Sequence, residues 1–135
     1  MKNLLLLFTT VLLFSCNQPS LTFNEMVDLS QKEALSITSL AKFYEASATK
    51  KQNAIKSVFR GVENSTILVE VTTGGKVKSE VVDSPFLEDV VIYLPVKMTL
   101  EEAEQLLLDA GYGTGVEGVA DWSVVVLRKP LGPEK

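Results

Sequence analysis

The apolar positions of this 135-residue chain fall into distinct regimes. Leu4 to Phe14 form an apolar run interrupted only by Thr9 and Thr10. It is too short to cross a ~30 Å hydrocarbon core as a helix. From Pro19 to Gly61 there is no Gly or Pro, an interval that reads as helix. Within it Met26, Leu29, Ile37, Leu40, Tyr44, Ile55, Val58 and Phe59 fall largely on helical spacing. Thr22 followed by Glu25 three residues on is a capping box and opens the segment. The polar stretches Ser30 to Glu33 and Ser47 to Lys51 are candidate breaks. Two helices are expected, the second interrupted around Ser47 to Lys51 and closed by Gly61.

The period then changes from helical to alternating. Ile67, Val69 and Val71 alternate with Leu68, Glu70 and Thr72, and Val77, Ser79 and Val81 with Lys78, Glu80 and Val82. Thr73-Gly74-Gly75-Lys76 between them is a hairpin turn signal. A two-residue Gly-Gly turn would set Val69 against Glu80. A three-residue loop or a bulge sets Val69 against Val81 and Val71 against Ser79, and this register keeps one face apolar. Val90 to Leu94 reads as a third, central strand. Thr99 and Glu102 form a second capping box, and Leu100, Ala103, Leu106, Leu107 and Ala110 make a stripe that Gly111 ends. Trp122 to Leu127 is the last strand. The expected order is α-α-β-β-β-α-β. This is an α+β class of two layers, with N-terminal helices, then a mainly antiparallel sheet of about four strands and one C-terminal helix.

The first apolar run has a specific reading. Lys2 supplies a positive start, Leu4 to Phe14 the apolar region, and Leu13-Phe14-Ser15-Cys16 follows at once. These residues resemble the lipobox of bacterial lipoproteins, with Phe14 bulkier than the usual residue at its place. The resemblance implies cleavage before Cys16 and acylation of Cys16, with the bilayer as partner. More than one acyl chain is what stable anchoring needs. Residues 1–15 then form the signal peptide, 16–21 a lipidated tether, and 22–135 a single globular domain. The absence of Asp after Cys16 points, by the enterobacterial sorting convention, to the outer membrane.

Composition narrows the chemistry. The chain has no histidine and one cysteine. Ser-His-Asp and Cys-His nucleophiles, HExxH sites and Cys/His zinc sites are therefore excluded. Thirteen basic residues face seventeen acidic ones; without Lys2 the balance is about −5. That argues against nucleic acid as a partner and against a polybasic membrane-surface mode. With Cys16 lipidated, no disulfide is available.

The remaining motifs favour binding over catalysis. Gly113-Thr114-Gly115-Val116-Glu117-Gly118 matches G-x-G-x-x-G, but it follows a helix and precedes a strand, the reverse of a dinucleotide site. It reads as a loop in which Tyr112, Gly113 and Gly115 could touch a ligand. Ser47-Ala48-Thr49-Lys50 matches S-x-x-K without the companion motifs of serine acyl-enzymes. Glu88, Asp89, Glu101, Glu102, Glu104, Asp109, Glu117 and Asp121 are dense, and read as a solvated face and helix-start charge. No EF-hand-like loop is present, and no metal or other cofactor is expected. Lys50, Lys51, Lys56 and Arg60 form a basic run that could dock an acidic partner. Trp122 could stack on a ligand, although core packing explains it as well.

Thr99, Glu102-Ala103, Leu107, Ala110-Gly111-Tyr112, Trp122, Val124, Pro130 and Gly132 together resemble a PASTA module. That resemblance covers Pro95 to Gly132 and implies cell-wall binding rather than catalysis. In place of the usual Gln before the final Pro stands Lys129. The expectation is a membrane-anchored lipoprotein of the bacterial cell envelope, with a non-catalytic domain that binds an envelope protein or cell-wall polymer as inhibitor, immunity or assembly factor. The rivals are a carboxylate-dependent hydrolase of cell-wall glycans and a plain spacer.

Overall fold

A computed structural model describes residues 20–49, 53–86, 90–111 and 124–129. Its elements are α1 (Phe23–Ile37), β1 (Lys42–Thr49), β2 (Ala54–Arg60), β3 (Thr66–Thr72), β4 (Val77–Val82), α2 (Leu100–Asp109) and β5 (Val124–Arg128). The strands form one antiparallel sheet in the order β4-β3-β2-β1-β5. The α+β class is as expected, but the sheet has a fifth strand and one N-terminal helix is gone.

That second helix is the main correction. Residues 42–49 and 54–60, read as helix for want of Gly or Pro, form the β1 and β2 pair. The strand period was present in Ile55, Ser57 and Phe59, which point to one face and are all buried. Two small residues, Ala46 and Ser57, pair at the centre of that face and weaken its apolar signature. Gly61 does not end a helix. It starts the β2–β3 turn, where Gly61 N donates to Ser65 O at 2.8 Å and Ser65 N to Val62 O at 2.9 Å. Glu63 and Asn64 both have positive φ there, at 52° and 65°, the geometry of a type I′ hairpin turn.

α1 begins as expected. The Thr22 hydroxyl accepts from Glu25 N, and Glu25 returns to Thr22 N at 2.8 Å. The helix runs through Ser30 to Glu33 without a break. Ser30 is buried, and its hydroxyl donates to Met26 O one turn back, so the polar atom is satisfied inside the helix. Met26, Val27, Ser30 and Ala34 form the buried stripe. The small side chains of Ser30 and Ala34 let α1 lie close on β2 and β3, with Ser57 Oγ donating to Ser30 Oγ at 3.0 Å. Phe59, Ile55, Ile67, Val69 and Val71 supply the opposing floor. Phe43 and Phe59 meet with ring centroids 5.2 Å apart.

The β3–β4 hairpin has an alternation of faces as expected and a register two residues away. Val69 faces Ser79 and Val71 faces Val77, not Val81 and Ser79. The loop does hold three residues, but they are Thr73, Gly74 and Gly75. Gly75 N donates to Thr72 O, and Thr72 N to Lys76 O at 2.9 Å. Gly75 takes the left-handed conformation (φ 81°) that a type I turn followed by a bulge requires.

Val90 to Leu94 is not a strand. One strand-like bond, Ile92 N to Phe43 O at 2.9 Å, holds the segment beside β1. Ile92, Leu94 and Val96 pack on the core from this irregular path, so the apolar run was core material without being sheet. Asn24 Nδ2 donates to Val96 O and Met98 O and ties the segment to the start of α1. α2 carries its capping box, with Glu102 N to Thr99 Oγ1 at 3.1 Å and Thr99 N to Glu102 Oε2 at 2.8 Å, and Gly111 follows it at φ 88°. None of its residues is buried, and Leu106, Leu107 and Leu108 are 57%, 41% and 53% exposed.

Candidate functional site

One face of the sheet carries α1; the other presents rows of side chains that the register fixes. The first row reads Lys78, Glu70, Lys56, Ser47, Val126 across β4 to β5. The second reads Glu80, Leu68, Val58, Glu45, Arg128. Between them lies an open groove of about 310 Å³, lined by Lys56, Glu70, Lys78 and Glu80 over an apolar floor of Val58 and Leu68, with Ser47 at one end. Opposite charges alternate along the first row, with Glu70 in register between Lys78 and Lys56.

A bulge shapes the lower end of this face. Tyr44 is the extra residue between the pairs Phe43↔Phe59 and Glu45↔Val58. Tyr44 is buried and stacks on Phe86 with centroids 6.1 Å apart. Thr66 Oγ1 holds the same segment by donating to Ser84 O at 2.7 Å. Arg60, Asn64, Ser65, Pro85 and Phe86 close a second, smaller depression of about 90 Å³ around Tyr44.

The basic run expected on a helix is therefore divided. Lys56 and Arg60 lie on β2, on one face but four residues apart, which is about 13 Å of strand. Lys56 belongs to the charged row beside Glu70. Arg60 instead sits opposite Lys42, a basic neighbour that a helical reading does not bring near it. Lys50, Lys51, Tyr112, Gly113, Gly115, Trp122 and the lipidation candidate Cys16 lie outside the described residues. Of the dense carboxylates, Glu101, Glu102, Glu104 and Asp109 are on α2, and Glu88, Asp89, Glu117 and Asp121 lie outside the described residues. The carboxylates that share a groove are Glu70 and Glu80, which the sequence reading passed over. Their signal was the alternation of β3 and β4, which already set Glu70 and Glu80 on the face away from the core.

The Glu25 carboxyl is held below the usual glutamate range, first by the Thr22 backbone N–H and then by the Thr22 hydroxyl. Among the described residues, no group of three or more Cys, Asp or Glu side chains is placed to hold a metal ion. None of the described helices is long and apolar enough to cross a membrane. No family model, curated protein or solved structure matches the chain.

Proposed function

We propose that the chain is a lipid-anchored lipoprotein of the bacterial cell envelope, sorted to the outer membrane, whose folded domain binds an envelope partner without catalysing a reaction. The observation that carries the anchor is Leu13-Phe14-Ser15-Cys16 at the end of the Leu4 to Phe14 run. Leu21 N donates to Thr73 O at 2.8 Å, so the domain starts at the tip of the β3–β4 hairpin. A lipid on Cys16, five residues upstream, would hold that tip within about 17 Å of the bilayer surface. The absence of histidine from the whole chain supports the non-catalytic reading.

Mass spectrometry of the mature amino terminus tests the anchor. The expected result is an acylated Cys16, and Cys16→Ser should move the protein from the membrane pellet to the soluble envelope fraction. An unmodified terminus beginning elsewhere overturns the proposal. Binding is tested by crosslinking and pull-down from solubilised envelopes, and repeated recovery of the chain alone counts against it.

One feature favours a second reading. Glu70 and Glu80 are diagonal neighbours across β3 and β4, about 7–8 Å apart at the backbone, and both line the groove, so a glycan lying there would meet two carboxylates. Lys56 and Lys78, which flank Glu70 in register, argue instead for charge balance. Release of soluble fragments from purified cell wall, abolished by Glu70→Gln or Glu80→Gln, would establish the hydrolase and remove the non-catalytic reading.

A further inference from the structure

β4 is an edge strand, paired with β3 alone among the described residues. Thr72 N bonds Lys76 O, so in this register Lys78, Glu80 and Val82 direct their main-chain groups to β3. Val77, Ser79 and Val81 direct theirs outward, away from the sheet. An exposed edge of this kind pairs readily with another strand. Val77 and Val81 are 37% and 53% exposed on the α1 side, and Lys78 and Glu80 flank Ser79 on the other.

We propose that β4 is a homodimer interface, pairing antiparallel with β4 of a second copy about a two-fold axis at Ser79. In that register Val77 lies opposite Val81 of the other copy, Ser79 opposite Ser79, and Lys78 opposite Glu80. The outward groups of Val77, Ser79 and Val81 then form about six main-chain hydrogen bonds, two per bonded pair. The two exposed valine pairs cover one another on the α1 side. Two opposite-charge pairs form on the groove side. The neighbouring registers that use the same outward groups are worse, because one sets Lys78 against Lys78 and the other Glu80 against Glu80. A single register is thus selected by charge, by apolar matching and by the backbone together. The dimer would be one continuous ten-stranded sheet, twice the strand number of the single chain. Because the two-fold stands normal to the sheet, both copies of α1 lie on one side and both charged grooves on the other.

Charge reversal on the full chain, purified from membranes, tests this by sedimentation equilibrium. Lys78→Glu alone and Glu80→Lys alone each create two like-charge pairs and should weaken self-association about tenfold or more. Mixed together, the two variants should form a heterodimer of near wild-type affinity, and K78E/E80K should self-associate again. K78E and K78E/E80K share the same directly opposite mismatch with Glu70 inside one chain, and E80K alone carries the change diagonal to Glu70, so self-association of the double variant where both single variants fail reports pairing between copies. In a separate arm, Ser79→Cys should give a disulfide-linked dimer in the oxidising envelope, while a cysteine at Lys76 should not. A wild-type chain that stays monomeric overturns the proposal. So does a dimer indifferent to both charge reversals, or an open-ended assembly built on β5.

Discussion

α1 and α2 open with the same local chemistry and end in different places. Each has Thr at the N-cap, Glu at the third helical position and both reciprocal hydrogen bonds. Each has an apolar stripe at helical spacing. Yet α1 buries Met26, Val27, Ser30 and Ala34 against the sheet, while α2 buries nothing. The contrast separates two contributions that sequence patterns run together. Capping decides that a helix forms and where it starts. Burial of the stripe decides whether the helix holds the fold together, and most helix stability in proteins comes from that packing. α1 has small residues at the contact and a matching serine on β2. α2 has three consecutive leucines, Leu106 to Leu108, which spread round the helix and are all exposed.

The largest test places a charge in each stripe. Val27→Asp puts a carboxylate where the wild-type side chain is fully buried and should cost at least about 3 kcal/mol, enough to abolish the cooperative denaturant transition. Leu107→Asp on α2 should shift the same transition by less than about 1 kcal/mol. Equal effects would mean that α2 is part of the core. Next is the polar contact that sets α1 on the sheet. Ser30→Ala leaves the buried Ser57 hydroxyl without its acceptor and should cost about 1–3 kcal/mol. The double variant S30A/S57A should recover part of that loss, because no buried hydroxyl is then left over. Additive losses would show that the pair is not coupled.

The caps give a smaller effect and a sharper contrast. Thr22→Ala should lower global stability by about 1 kcal/mol. Thr99→Ala should leave the global midpoint nearly unchanged and instead speed hydrogen exchange of the 100–110 amides. A global loss from Thr99→Ala would merge the two helices into one cooperative unit. The smallest effect is a pH dependence. Thr22 hydrogen bonds hold the Glu25 pKa below its ordinary value, so folding favours the ionised carboxylate. Its contribution is complete above the ordinary glutamate range and is lost as pH falls through the lowered value. An NMR titration of Glu25 should move part of the way upward in Thr22→Val, which removes the hydroxyl and keeps the backbone N–H; an unmoved titration would show that the N–H alone holds the carboxylate low.

The same division explains how far the residues could be read in order. Both capping boxes, the faces of β3 and β4, and the ends at Gly75 and Gly111 were legible because each rests on neighbours within a few residues, and the last strand near Val124 because its apolar run is short and continuous. The β1 and β2 strands were not. The sequence between them has no Gly or Pro, and the inner face carries Ala46 and Ser57 where large apolar residues would have shown a two-residue period. Val90 to Leu94 failed in the opposite sense. Its apolar content marks burial, but an apolar run alone does not say whether backbone hydrogen bonds go to a sheet. The groove was half legible: Glu70, Lys78 and Glu80 were on the right face, and Lys56 was assigned to a helix.

The chain alone thus determined what depends on near neighbours and on totals: where helices start, how the hairpins alternate, which chemistries an absence of histidine forbids, and the apolar run that ends at Cys16. Tertiary structure decided which apolar stripe became core, the order β4-β3-β2-β1-β5, and the rows that bring Lys56, Glu70 and Lys78 together. The physical reason is that those outcomes rest on contacts between residues distant in the chain. Each is selected by packing volume and by the pairing of backbone groups across strands, and neither quantity is written in the spacing of residues along one segment.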